Sequence, residues 1–203
     1  TVIGIAGVEH GIGEILQGNV APEGLFILSW PDADFFRVVS GEPALTVLPN
    51  LLLSGILTVL VSLAYILWAN RFVARKHGGW GLILLGALML PVGGGLFPPV
   101  FGVLLGWLGT RINTPHHGWQ TRAPGKLRSS LAGLWPWSFG LCLFAWFLIF
   151  PGINILGLFL PLEGSYLPFY LVLLVVASLT LAIVCGFARD SQVTPHNAAQ
   201  RAN

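Results

Sequence analysis

Residues 49–70 run for 22 positions without a charged side chain, and this stretch limits the possible folds more than any other feature. About 20 apolar residues in a helix cross the roughly 30 Å hydrocarbon core of a bilayer. The run opens on Pro49 and closes on Trp68 and Arg71, the aromatic and basic pairing typical of a membrane boundary. Four more apolar stretches cover residues 1–18, 80–110, 133–150 and 166–188. They are continuous blocks, which favours helices over the alternating pattern of a transmembrane barrel. Only 9% of the 203 residues are charged and the mean hydropathy is +0.79. A soluble domain carries about 25% charged residues, so this chain cannot coat a water-facing surface.

The expected fold class is therefore all-α: a polytopic integral membrane protein with about four full transmembrane helices plus a Gly/Pro-broken helical hairpin. The spans are expected near 1–18, 49–72, 133–150 and 166–188, with the hairpin over 80–110. Together they make a single transmembrane domain over 1–188, followed by a polar cytoplasmic tail over 189–203. No basic leader or cleavage site precedes the first run. It reads as a membrane segment whose initiator Met was removed or whose beginning is missing.

Charge sets the orientation. Residues 19–48 carry Glu23, Asp32, Asp34, Glu42 and one Arg37, a net charge of −3. Arg71, Arg75 and Lys76 form one basic loop, and Arg111, Arg122, Lys126 and Arg128 a second. The positive-inside rule places both basic loops and the tail in the cytoplasm of a plasma (inner) membrane, with the acidic segment outside. This works only if 80–110 enters and leaves on one side, as a re-entrant pair or two tight crossings. Its centre, with Pro91, Gly93, Gly94, Gly95, Pro98 and Pro99, cannot continue a helix without large cost. Within 19–48, Ser29-Trp30-Pro31-Asp32 resembles a helix start with proline at the first position. It predicts a short amphipathic helix lying in the interface, with Trp30 at headgroup depth.

Chemistry concentrates in the first segment. Glu9 and His10 are adjacent, Glu14 lies four residues beyond His10 on the same helix face, and Gln17 follows. Ionisable groups at the centre of a membrane helix cost about 2.5–3.5 kcal/mol on insertion scales. Such residues mark a buried partner or a proton or cation path, so Glu9, His10 and Glu14 are the pathway candidates. Their expected partners are the hydroxyl stripe Ser54, Thr58 and Ser62 or the dipole at the hairpin break. A metal at His10 and Glu14 lacks further ligands from any other span, so neither a metal nor another cofactor is expected. Gly7 and Gly11 form a small-xxx-small face, a place for a homo- or hetero-oligomeric partner beside the lipid bilayer.

No phosphate-binding loop, dinucleotide fingerprint, zinc-protease motif or nucleophile elbow is present, and nothing in the charge pattern suggests nucleic acid. The cysteines, Cys142 and Cys185, read as buried thiols. Three function classes remain. A non-enzymatic membrane subunit or assembly partner comes first, then a small transporter or channel for protons or cations using the polar first helix. A lipid-acting enzyme with His116 and His117 on its polar face comes last, because the spans lack converging catalytic groups.

Overall fold

The structure, a computed structural model, describes residues 1–112 and 124–201, with side chains described up to residue 192. The chain divides into two compact units, Thr1–Thr114 and Pro115–Asn203. Three helical stretches are long and apolar enough to cross a membrane: Leu51–Arg71, Gly125–Gly157 and Leu167–Gln192. The protein is membrane-embedded and helical.

The first unit is built on α1 (Val2–Gln17) and α2 (Leu51–Arg71). They run antiparallel: the Asn70 amide donates to the Thr1 hydroxyl at one end, and Asn50 meets Asn19 at the other. Small residues set the spacing. A methyl group added at Gly11 would lie 2.8 Å from the Gly55 carbonyl oxygen, and one at Gly55 would lie 2.5 Å from that of Gly11. Gly4 and Gly7 abut Ile66 and Ser62 in the same way. The Gly7/Gly11 face expected to receive another chain is thus filled by α2 of this one. At 16 residues, α1 is about 24 Å long, short of the core thickness.

The acidic connection differs from the expected interfacial helix. Its strands β1 (Phe26–Leu28) and β2 (Pro43–Leu45) pair antiparallel with Ile27 opposite Ala44. Pairing continues beyond them through Ser29 N–H to the Glu42 carbonyl and Trp30 N–H to the Gly41 carbonyl. Only Asp34–Val39 is helical, a 3₁₀ segment whose N-cap is Ala33 with no side-chain cap. Ser29 cannot cap a helix, because its backbone is held in this ladder and its hydroxyl is engaged by His10. Trp30 stacks on Phe36 with ring centroids 4.9 Å apart.

The broken stretch forms α3 (Gly78–Met89) and α4 (Phe97–Gly109), which lie antiparallel. Gly79 packs on Thr110 and Gly109, and Gly86 on Gly102. Helices of 12 and 13 residues reach about 18 and 20 Å. Between them the Gly94 N–H donates to the Met89 carbonyl at 2.8 Å, and Gly93 and Gly95 take φ of +107° and +80°. Pro98 and Pro99 stand in the first turn of α4, where an amide has no helical partner to lose. The turn is tied to its surroundings by Val47 N–H on the Pro91 carbonyl and by the hydroxyls of Ser54 and Thr58, both donating to the Val92 carbonyl. Ser54 and Thr58 are the fourth and eighth residues of α2, so the turn lies about 5–10 Å inside that helix end.

In the second unit, α5 (Gly125–Phe147) is followed by a kink within Leu148–Gly152, where Phe150 is non-helical (φ −112°, ψ 104°), then by α6 (Ile153–Gly157) and α7 (Leu167–Arg201). Trp135 meets Gly186, with the Arg189 guanidinium 4.1 Å over its ring, and Cys142 further along α5 meets Ser178 earlier in α7, so α5 and α7 are antiparallel. Ser138, Cys142 and Ala145 on α5 and Ser178, Ala182 and Cys185 on α7 are buried between them. Both helices outrun the expected spans. Lys126 and Arg128 fall in the first turns of α5, and α7 continues into the expected tail as far as Arg201. No glycine or proline follows Gly125 until Gly133, and lysine, leucine, arginine and alanine all propagate a helix readily.

Candidate functional site

The polar residues of α1 converge on the loop and the α3–α4 turn. His10 sits at the centre, only 5% exposed. Its Nδ1 lies 2.8 Å from the Ser29 hydroxyl and its Nε2 3.1 Å from a Glu42 carboxylate oxygen. Glu9 completes the group: one ligand atom each from Glu9, His10 and Glu42 lie within 4.8 Å of one another. The Glu9 carboxyl lies against that of Glu42 and beside the Trp30 indole. About two helical turns further on, Gln17 donates to the Leu28 and Ser29 carbonyls, each at 3.0 Å. That contact fastens the end of α1 to the start of the β-ladder.

Glu14 is fully buried, and its two oxygens have no hydrogen-bond partner. It faces Gly93, where a methyl group would lie 2.1 Å from its carboxylate. A methyl group at Gly95 would lie 2.4 Å from His10 Nε2. The glycines of the break thus do two things: they take positive φ, which costs an L-residue strain, and they leave room for the two polar side chains. Gly94 packs on Met89, while Pro98 and Pro99 are buried at the start of α4. The Pro91 carbonyl anchors the loop.

Two of these partners differ from expectation. The hydroxyls of Ser54 and Thr58 serve the Val92 carbonyl rather than Glu9 or His10, because that carbonyl has left the helical ladder and needs donors. His10 instead meets Ser29 and Glu42, residues whose local sequence marks them only as a helix cap and a loop acid. Glu42 reaches inward because Ser40, Gly41 and Glu42 are all left-handed, with φ of +56°, +73° and +56°. The side chain is 12% exposed, and this burial pushes its carboxyl above the ordinary carboxylate range, against the opposing pull of contact with Glu9.

Among the described residues, none of Glu9, Glu14 and Glu42 is paired with a lysine or arginine. A buried carboxylate without compensation is costly, which favours either its protonated form or a cationic partner. No family model, curated protein or solved structure matches this chain. His116 and His117, the polar face of the enzyme reading, lie outside the described residues, as does the side chain of His196.

Proposed function

We propose that the protein is a small cation transporter of the membrane, and that its first unit holds the cation-binding site. The observation that carries this is the meeting of half-buried Glu9 and Glu42 with buried His10, without a lysine or arginine counterpart among the described residues, beside a broken helix pair. Transport proteins place ion sites where helices are interrupted, because backbone outside a helical ladder is tolerated at depth only against protein or a wet cavity. A purely adhesive subunit has no need of three converging ligand groups.

Membrane placement follows the same reading. Arg71, Arg75 and Lys76 precede α3, and Arg111 follows α4, at the end where Gly79 packs on Thr110. The opposite end carries the acidic loop. With basic groups inside, α2, α5 and α7 span the membrane, α1 crosses as a short fourth helix, and the α3–α4 pair is re-entrant, its turn below the outer surface. Ions from outside then meet the loop bearing Glu42 first.

Reconstitution into liposomes that enclose a divalent-cation dye and a pH dye tests the function. Uptake of protons or a divalent cation above that of empty liposomes, reduced at least tenfold by Glu42→Gln with helix content unchanged, is the expected result. Dye traces indistinguishable from protein-free vesicles for every cation tried would remove the transport reading.

A further inference from the structure

The donor atoms of the site can be matched to a particular class of ion. We propose that Glu9, His10 and Glu42 bind one divalent transition-metal ion of the zinc class, a refinement that rests on the cation reading above. Three arguments support it.

The first is donor type. An imidazole nitrogen with two carboxylates suits zinc, iron, cobalt or nickel, whereas magnesium and calcium favour shells of six or more oxygens. The second is geometry. Ligand atoms about 2.0–2.2 Å from a tetrahedral zinc are about 3.3–3.6 Å apart. His10 Nε2 and the Glu42 oxygen are 3.1 Å apart, and all three donors lie within 4.8 Å of one another, so small side-chain rotations bring them onto one ion. The third is charge and saturation. Two carboxylates and a neutral imidazole sum to −2, which a divalent ion cancels. Glu9 and Glu42, whose carboxyls face each other with no lysine or arginine beside them among the described residues, gain a shared cationic partner.

Ser29 has a supporting part. An ion bound at Nε2 leaves the proton on Nδ1, which then donates to the Ser29 hydroxyl 2.8 Å away. Metal-bound histidines commonly have such an outer hydrogen bond, and its loss weakens binding about 10–100-fold. Three protein ligands leave a position for water or a passing ligand, the arrangement of an open rather than a purely structural site. Glu14, against Gly93 at the break, is not one of the ligands.

The test uses the full chain in detergent, stripped with chelator and titrated with zinc and, separately, with cobalt(II), whose visible absorption reports coordination. Expected are one ion per chain, intense visible bands from four-coordinate cobalt, loss of both in His10→Ala and Glu42→Gln, and retention in Glu14→Gln. Ser29→Ala should bind about 10–100-fold more weakly with the same stoichiometry. Glu42→His, which replaces one zinc ligand by another, should restore binding with shifted cobalt bands, so the proposal remains testable if Glu42→Gln folds poorly. Absence of saturable zinc or cobalt binding by the wild-type chain overturns the metal assignment. So does binding that survives both His10→Ala and Glu42→Gln. If liposomes still take up protons while no metal binds, only the metal assignment falls. If neither is seen, the transport reading falls with it.

Discussion

At the scale of single residues, the break in the third apolar stretch is defined by what lies opposite it. Gly93 and Gly95 combine positive φ with carboxylate or imidazole atoms less than 2.5 Å from where a side chain would begin. Left-handed backbone alone costs an L-residue about 1–2 kcal/mol, and displacement of Glu14 or His10 adds to it. Gly93→Ala and Gly95→Ala should therefore lower the thermal unfolding midpoint of the detergent-solubilised protein by several degrees. Gly133→Ala and Gly140→Ala, in α5 with open space around each position, should leave it unchanged or raise it, since alanine is the better helix former by about 1 kcal/mol. Equal effects at all four positions would mean the turn does not require glycine. Glu9, His10 and Glu14 were legible in the sequence because ionisable groups are expensive in an apolar helix. Ser29 and Glu42 were not. Their neighbours give each a satisfactory local explanation, and only the tertiary path of the loop, with its left-handed residues 40–42, turns them toward His10.

At the scale of elements, the long apolar run became α2 and the Gly/Pro interruption became a turn between two short helices, because both signals are local. The β1–β2 pair was hidden for the opposite reason. Each strand has only three residues, too few to display a period, and their pairing depends on contacts across 15 or more positions. The extent of α5 and α7 was also underestimated, since hydropathy marks where lipid ends and not where a helix ends. The turn depends on α2 through one acceptor shared by two donors. Ser54 and Thr58 both donate to the Val92 carbonyl, so Ser54→Ala or Thr58→Val alone leaves it partnered. Each single change should cost about 0.5–1.5 kcal/mol. The double variant leaves a buried carbonyl without a donor, so its loss should exceed the sum of the two by about 1 kcal/mol or more. Thermal or denaturant unfolding of the four proteins measures this coupling, and strict additivity would show that the carbonyl finds another donor.

At the scale of the whole molecule, the proposed arrangement in the membrane rests on charge distribution and helix length. Within the first unit, Arg71, Arg75, Lys76 and Arg111 gather at the end where α3 begins and α4 finishes. Glu23, Asp32, Asp34 and Glu42 belong to the loop at the other end. A single crossing by residues 78–109 would put Lys76 and Arg111 on opposite faces, but α3 and α4 are antiparallel and each is shorter than the hydrocarbon core. Both sites should then face the cytoplasm with Lys126, while Asp32 faces outward. Single cysteines at Lys76, Arg111, Lys126 and Asp32, in a chain whose buried Cys142 and Cys185 are replaced by alanine, can be probed with a membrane-impermeant maleimide. In intact cells the cysteine at position 32 should react and the other three should stay silent until the membrane is opened. Reaction of position 76 and position 111 from opposite faces would exclude the re-entrant pair. It would also place the Gly93–Gly95 turn away from the outer loop, and the Glu9, His10 and Glu42 side chains would no longer share a site accessible from outside.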